Sequence, residues 1–289
     1  MTEKKIGILT FAFGPSYQLQ AYCQALTARF VLGLETTVVV GSGDEVDSRL
    51  SKVANVVSLS GAFSRFEYEK HALDVTPYDI TFKTDADLLF PAGSYLYHAD
   101  GLPATSGVAC DVRGAVADTT FYRRVESNLG LPTIYSACFS FDKNHPKCTE
   151  YFDQIKRLFK EWYRLKVWAT AGETLLPTTD SVYSLAWSKV FGTSRIEGNH
   201  FIHAKSKIND WTNDDWTTNS VLMLDRGCRM YMDGVRLTHP FHYYDKNLIN
   251  QEFITRLENV CGVREAGSTG VKSRRNSGDR RTNQDSVTV

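Results

Sequence analysis

The amino-acid sequence predicts an α/β fold: a mostly parallel central sheet flanked by helices, with a further region towards the C-terminus. Three observations lead there. Short apolar or β-branched runs at residues 4–13, 36–41, 55–59 and 78–85 have strand length, and helix-spaced segments at 17–30 and 66–75 fall between them. Strands alternating with helices in this way are how a parallel sheet covered on both faces is written into a chain. The third observation is bulk. With 289 residues, 42% apolar and 23% charged, the chain matches one globular domain with a full core, expected over residues 1–261.

The first strand runs from Lys4 to Phe13. It alternates and then turns apolar through Ile6, Ile8, Leu9 and Phe11, until Gly14-Pro15-Ser16 breaks it. Tyr17 to Phe30 places Leu19, Tyr22, Cys23, Leu26 and Phe30 at helical spacing, with Ser16 as the expected N-cap. Thr36–Gly41 and Asn55–Leu59 are the second and third strands. Phe66–Val75 is expected to be helical and feeds the central strand at Tyr78. Thr105–Cys110 and Thr133–Phe141 read as strands. His145-Pro146 opens a long helix to about Val167, striped by Tyr151, Ile155, Leu158, Phe159, Trp162 and Leu165. Residues 172–179 read as a loop and Asp180–Val190 as a helix. Val221–Leu224 and Met230–Asp233 suggest a hairpin, Thr238–Lys246 a polar turn, and Asn247–Val260 a last helix. From Gly262 onward almost nothing is apolar, so a flexible basic tail is expected over residues 262–289.

The formal net charge is zero, so no global field draws the chain to nucleic acid or anionic membrane; a polyanion would need a local patch. The six cysteines form no C-x-x-C pair and no zinc spacing, and several sit in apolar runs, which reads as buried reduced thiols. Met-Thr-Glu-Lys-Lys runs straight into a core strand, without the apolar stretch of a signal peptide. No apolar run is long enough to span a bilayer, so no membrane partner is expected and a cytoplasmic location is the default.

Asp85-Ala-Asp87 carries the strongest chemical signal. Two carboxylates leave a buried strand together, with only an alanine between them. An unpaired buried carboxylate is costly, so two at one strand end call for a cation. A hard divalent ion takes oxygen ligands and completes its shell with water or phosphates. In open parallel sheets ligands bind beyond the carboxyl ends of the strands, and Asp85, Asp87 and the Phe11–Gly14 loop all lie at such ends. The residues therefore point to a metal site for a phosphorylated ligand; a plain turn or helix-capping role is the simpler alternative.

The stretch from Glu69 to Phe90 (EKHALDVTPYDITFKTDADLLF) resembles the metal-site region of metal-dependent glycosyltransferases of the GT-A fold. There a helix bearing Lys or Arg precedes small-Pro-aromatic-Asp, then an apolar strand, then D-x-D. The likeness is close over this segment and looser over the first strand and the last third. It implies a Rossmann-like GT-A fold, with residues 1–110 as the half that binds a nucleotide-sugar and 111–261 as the acceptor-side half. It implies Mn²⁺ or Mg²⁺ held by Asp87 directly, with Asp85 sharing the ion or touching the ribose, against the diphosphate of a donor taken by analogy as a UDP-sugar.

The same resemblance implies further roles. Related transferases return a C-terminal histidine to the metal and a lysine to the diphosphate; His242 and Lys246 are similar, His239 competes, and the usual spacing, glycine and tryptophan are absent. Phe11, Ala12, Phe13 and Tyr17 would hold base and ribose, though both Phe also read as core. Arg65 and Lys70 would contact phosphate or sugar, or be solvated. Asp180, at the start of a late helix, would be the general base of an inverting enzyme or face the sugar in a retaining one, with Glu173 as second choice. Thr179 or Asp180 also reads as a mere helix cap. Ser136–Phe141 resembles the strand lining the sugar pocket but reads equally as plain core, and Asp111 and Arg113 would face the acceptor.

The acceptor class stays open. The tail from Lys272 to Arg281 is basic, Arg123-Arg124 and Lys205–Lys207 add local charge, and Trp168, Trp211 and Trp216 can stack on bases or sugars. A hydroxymethylated DNA base is thus one compatible acceptor and a glycan another, while a merely solvated tail fits equally; no helix-turn-helix, zinc finger or RNA-binding motif is present. Among other classes, a nucleotide-sugar pyrophosphorylase-type nucleotidyltransferase would carry a basic glycine loop after the first strand, where Phe11–Ser16 has none. A D-x-D phosphatase would place its motif on the first strand. A serine hydrolase would carry G-x-S-x-G, which is absent. A non-catalytic nucleotide-sugar binder on the same fold is the remaining alternative.

Overall fold

The computed structural model describes residues 3–61, 67–112, 114–116, 126, 129–169 (backbone alone at 162–169), 178–192, 196, 198–203, 221–243 and 246–263. Arg65, Arg113, Arg123-Arg124, Glu173, Lys205–Lys207, Trp211, Trp216 and the tail beyond residue 263 lie outside them, as does the Trp168 side chain.

A nine-stranded sheet forms the centre among the described residues, in the order β3-β2-β1-β4-β7-β6-β8-β12-β5. Its strands are β1 (Ile6–Phe11), β2 (Glu35–Gly41), β3 (Asn55–Leu59), β4 (Ile80–Asp85), β5 (Leu88–Leu89), β6 (Ala104–Cys110), β7 (Cys138–Asp142), β8 (Gly198–His203) and β12 (Phe241–His242). The β3-β2-β1-β4 half is parallel throughout, β6, β8 and β12 are parallel to one another, and β7 and β5 run against their neighbours. The expected α/β class with a mostly parallel sheet is therefore observed.

Strand alternation divides the core. Leu9, Phe11, Val39, Phe139 and Phe141 point to the face covered by α3 (Cys148–Ala169) and α4 (Thr179–Phe191), where Tyr151, Phe152, Ile155, Val182 and Tyr183 are buried. Val38, Val40 and Ala12 point to the face covered by α1 (Pro15–Thr27) and α5 (Gln251–Val260), with Tyr22, Leu26, Phe253 and Leu257. One-residue steps along each strand send side chains to opposite faces, which is why continuous apolar runs mark strands buried on both sides.

Several boundaries differ from the expected ones. Helix α1 is capped by Gly14 at φ 82°, with Pro15 as its first residue, so Ser16 lies inside the helix. Proline at that position gives up an N–H with no intrahelical partner. The 66–75 helix is instead a 3-10 turn (Glu67–His71) followed by one α-turn, α2 (Ala72–Val75); it ends where Pro77 drives Thr76 into extended conformation, ψ 131°. The 133–141 strand pairs only from Cys138. The hairpin is a three-stranded sheet of β9 (Leu222–Leu224), β10 (Met230–Met232) and β11 (Val235–Leu237), turned at Asp233-Gly234 with φ 50° and 80°. The polar turn at 238–246 holds β12, and α5 begins later than expected, at Gln251, capped by the Asn250 side chain accepting from Phe253 N at 2.9 Å. All six cysteines are free thiols, five buried and Cys261 half-buried. Among the described residues no helix is long and apolar enough to cross a membrane.

Candidate metal and donor site

Register places the site. β1 and β4 run parallel with Phe11 opposite Asp85, so the Phe11–Gly14 loop and the Asp85–Asp87 turn leave the same end of the sheet. Helix α1 pins that turn: the Gln24 side-chain amide donates to Asp85 O at 2.5 Å, and Thr10 Oγ1 donates to Thr84 O at 2.9 Å from β1. Ala86 is buried in the cluster that holds Ala12 and Ala21, which explains why only a small residue separates the two carboxylates.

The third component comes from far along the chain. β12 pairs antiparallel with β5, His242 opposite Leu88, and Tyr243 N donates to Asp87 O at 3.1 Å. Pairing with β8 sets the His203 ring edge-on to the His242 ring, centroids 5.2 Å apart. The buried His242 Nε2 then lies 3.1 Å from Asp87 Oδ1 and 3.6 Å from Asp85 Oδ2. Lys246 Nζ contacts Asp87 Oδ2, under the rings of Tyr17 and Tyr243 at 5.5 and 5.6 Å.

Ligand atoms of Asp85, Asp87 and His242 all fall within 4.8 Å of one another. Two carboxylates and one imidazole suit a borderline-hard divalent ion such as Mn²⁺, and the carboxylates alone suit Mg²⁺, so these residues fit the implied metal. Electrostatics agree. Burial disfavours the Asp87 carboxylate, but His242 and Lys246 override it and hold its carboxyl well below the usual range. Burial likewise disfavours the His242 imidazolium, yet Asp87 and Asp85 raise its pKa. The Asp87 carboxylate is thus favoured in its charged form by the two cationic partners beside it.

The structure brings His242, not His239, to the carboxylates. His239 stands off beside His200 and Tyr95, ring centroids 6.1 and 6.3 Å away, bonded to Thr238 Oγ1 at 3.0 Å. Phe11 and Ala12 are buried in the core, whereas Phe13 is half-buried against Tyr68, centroids 4.5 Å apart, and Tyr17 is 49% exposed at the mouth of the site. Lys70 is half-buried and pairs with Glu67 at 2.6 Å. Asp180 does not cap α4: Thr178 does, its Oγ1 accepting from Ser181 N at 3.2 Å. Asp180 Oδ1 instead accepts from Ser136 N at 2.7 Å, on the segment leading into β7. Asp111 is buried and accepts from Ala115 N at 3.0 Å.

Sequence reasoning missed three groups. Lys83, 1% exposed on β4, lies 2.5 Å from Glu69 Oε2 and 3.2 Å from Asp85 Oδ1, and donates to Ser136 O at 3.0 Å. Glu69 is itself buried, which pushes its carboxyl up to about 7, with Lys83 pulling it down and Asp85 pushing it further up. Tyr68 lies against Phe11 and Phe13, close enough to Asp85 and Asp87 for their charges to add to the burial that raises its phenol pKa. A lysine inside the apolar run from Tyr78 to Phe90 was the available signal.

No protein-family model matches the sequence, and no curated protein does. Several solved structures are similar to it at low identity. The WbbM bifunctional glycosyltransferase superposes with a TM-score of 0.45 at 11% identity over 76% of this chain and 42% of that one. The glycosyltransferase GlyE of Streptococcus pneumoniae gives 0.41 at 12% identity, over 66% of this chain and 45% of that one. The chain thus spans less than half the length of either. The galactosyltransferase LgtC, solved with donor and acceptor sugar analogs, gives 0.48 at 12% identity over 88% of this chain and 95% of that one. Each is a structure to which this chain is similar.

Proposed function

We propose that the chain is a metal-dependent glycosyltransferase that moves a sugar from a nucleoside-diphosphate donor to an acceptor hydroxyl. One observation carries the reading: the Asp85-Ala-Asp87 pair and His242, distant from it in sequence, converge beside Lys246 at strand ends of a mostly parallel sheet. Asp87 and His242 would hold Mn²⁺ or Mg²⁺, with Asp85 sharing it or turning to the ribose. When bound, the ion neutralises charge building on the departing diphosphate.

The chain's own groups supply the rest. Lys246 offers an ammonium to the diphosphate, and Lys70 and Arg65 are proposed as further phosphate or sugar contacts. Phe13 and Tyr17 present rings for the base, with the backbone of Phe11 and Ala12 behind them. Asp180 is proposed as the general base of an inverting reaction or as a sugar-facing carboxylate of a retaining one, with Glu173 as second choice. The donor is taken as a UDP-sugar. The acceptor is a glycan hydroxyl or, held by the basic tail, a hydroxymethylated DNA base; an acceptor screen separates them.

The test is a thermal-shift panel of nucleoside diphosphates and nucleotide-sugars with Mn²⁺, Mg²⁺ or EDTA. A ligand of the native state alone raises the melting temperature by mass action. A Mn²⁺-dependent shift with one base supports the transferase and names the donor. Absence of any nucleotide shift, with or without metal, overturns it.

A further inference from the structure

Lys83 is a cation placed where a hydrocarbon would serve packing better. In the sheet it stands between Leu9 of β1 and Phe139 of β7, on the face covered by α3 and α4. Replacing buried ion pairs by apolar residues of similar volume is often neutral or stabilising, so stability gives little reason for the ammonium. Its contacts give a different one. Nζ lies 2.5 Å from Glu69 Oε2 on the inner side, 3.2 Å from Asp85 Oδ1 towards the site, and 3.0 Å from Ser136 O.

Each of the last two contacts leads to a carboxylate of the proposed reaction. The Lys83 bond occupies Asp85 Oδ1, and Asp85 Oδ2 is the oxygen that faces His242 Nε2, at 3.6 Å. The carboxylate is thereby split, one oxygen inward and one outward. Residue 136 works in both directions as well: its carbonyl accepts from Lys83, and its N–H donates to Asp180 Oδ1 at 2.7 Å. The next carbonyl, Ala137 O, accepts from Asp85 N at 3.2 Å, closing the link between the two segments.

We propose that Lys83 is a positioning residue, a single buried ammonium that orients the metal-side carboxylate Asp85 directly and the sugar-side carboxylate Asp180 through residue 136. The inference rests on the transferase reading. Lys83 touches neither donor nor acceptor; it acts by fixing which oxygens reach them.

Positioning and simple counter-charge make opposite predictions. If Lys83 only adds positive charge, removing it lets a divalent ion bind more tightly. If it orients Asp85, removing it weakens the ion, by roughly 10–100-fold as for other groups that hold metal ligands. The measurement is Mn²⁺ affinity in the presence of UDP, from the electron paramagnetic resonance signal of free ion, for wild type and Lys83→Met. Because the single variant leaves the Glu69 carboxyl buried without its cation, Lys83→Met with Glu69→Gln is measured beside it, and the variant that folds is scored.

Hydrogen exchange of the Ser136 amide gives the second readout; loss of its protection in the variant is expected as Asp180 is released. Unchanged or tighter Mn²⁺ binding overturns the role at Asp85, and unchanged Ser136 protection overturns the role at Asp180. A wild-type chain that takes up no Mn²⁺ with UDP or with any other nucleoside diphosphate overturns the transferase reading, and this inference with it.

Discussion

Asp87→Asn is the sharpest perturbation of the site. Asparagine keeps the shape and one acceptor oxygen, but loses the charge and offers an NH₂ group where Oδ2 met the Lys246 ammonium. The wild-type side chain is 13% exposed, with His242 Nε2 3.1 Å from Oδ1, so solvent screens these contacts little. Truncating one member of a close, desolvated charge pair costs about 2–5 kcal/mol. Taking about 3 kcal/mol for the lost metal ligand, the dissociation constant rises roughly 100-fold. At 100 times the wild-type dissociation constant of Mn²⁺ with UDP, the ligand stabilises wild type by about 2.7 kcal/mol. At that concentration the variant is half-saturated and gains only about 0.4 kcal/mol. With roughly 2–4 °C per kcal/mol for a domain of this size class, the thermal shift drops from roughly 5–11 °C to about 1–2 °C. The assay is melting with and without Mn²⁺ and UDP, with EDTA as control. An Asp87→Asn variant that shifts as far as wild type, while EDTA abolishes the wild-type shift, refutes the metal-site reasoning.

Other expectations follow from the same structure. His242→Ala weakens Mn²⁺-dependent donor binding, by less than Asp87→Asn, because a neutral ligand is lost and both carboxylates stay; the same melting assay checks it. Asp180→Asn keeps Mn²⁺ and UDP binding, since the amide oxygen still accepts from Ser136 N, but if Asp180 is the base, turnover falls roughly 10²–10⁴-fold in a transfer assay. In EDTA, stability depends on pH through the ion-free pair. Asp87, depressed by His242 and Lys246 against the effect of burial, contributes above about pH 4, and this is lost as pH falls through its folded value. His242, raised by Asp87 and Asp85 against burial, contributes fully below about pH 6.5, and this is lost as pH rises through its folded value. The melting temperature in EDTA therefore declines above about pH 6.5, and Asp87→Asn flattens that decline. Gly7→Ala sets a methyl carbon 2.3 Å from the buried Tyr78 ring, which is tied by its hydroxyl to Thr37 at 3.0 Å. Overpacking of this kind lowers stability by about 1–3 kcal/mol, read by urea denaturation.

The sequence by itself determined what is local. Short apolar or β-branched runs marked β1, β2, β3 and β4, and those of β1, β2 and β4 carry the near-continuous burial of strands covered on both faces. The paired carboxylates of Asp85-Ala-Asp87 were legible for a similar reason: two charges at the end of such a run stand out against it, although a turn or helix-capping role is the simpler reading. Only the tertiary structure decided what completes the site. β12 is two residues long, too short for any periodicity, and it becomes a strand because β5 and β8 flank it. That pairing sets His242, and not His239, beside the carboxylates, a distinction of three residues that composition and spacing leave open. Lys83 stood in plain view inside an apolar strand, but beyond neighbouring Asp85 its partners lie 14 residues before it and 53 after. An ion pair formed across a fold leaves no pattern along the chain; folding alone brings Glu69, Lys83, Ser136 and Asp180 together.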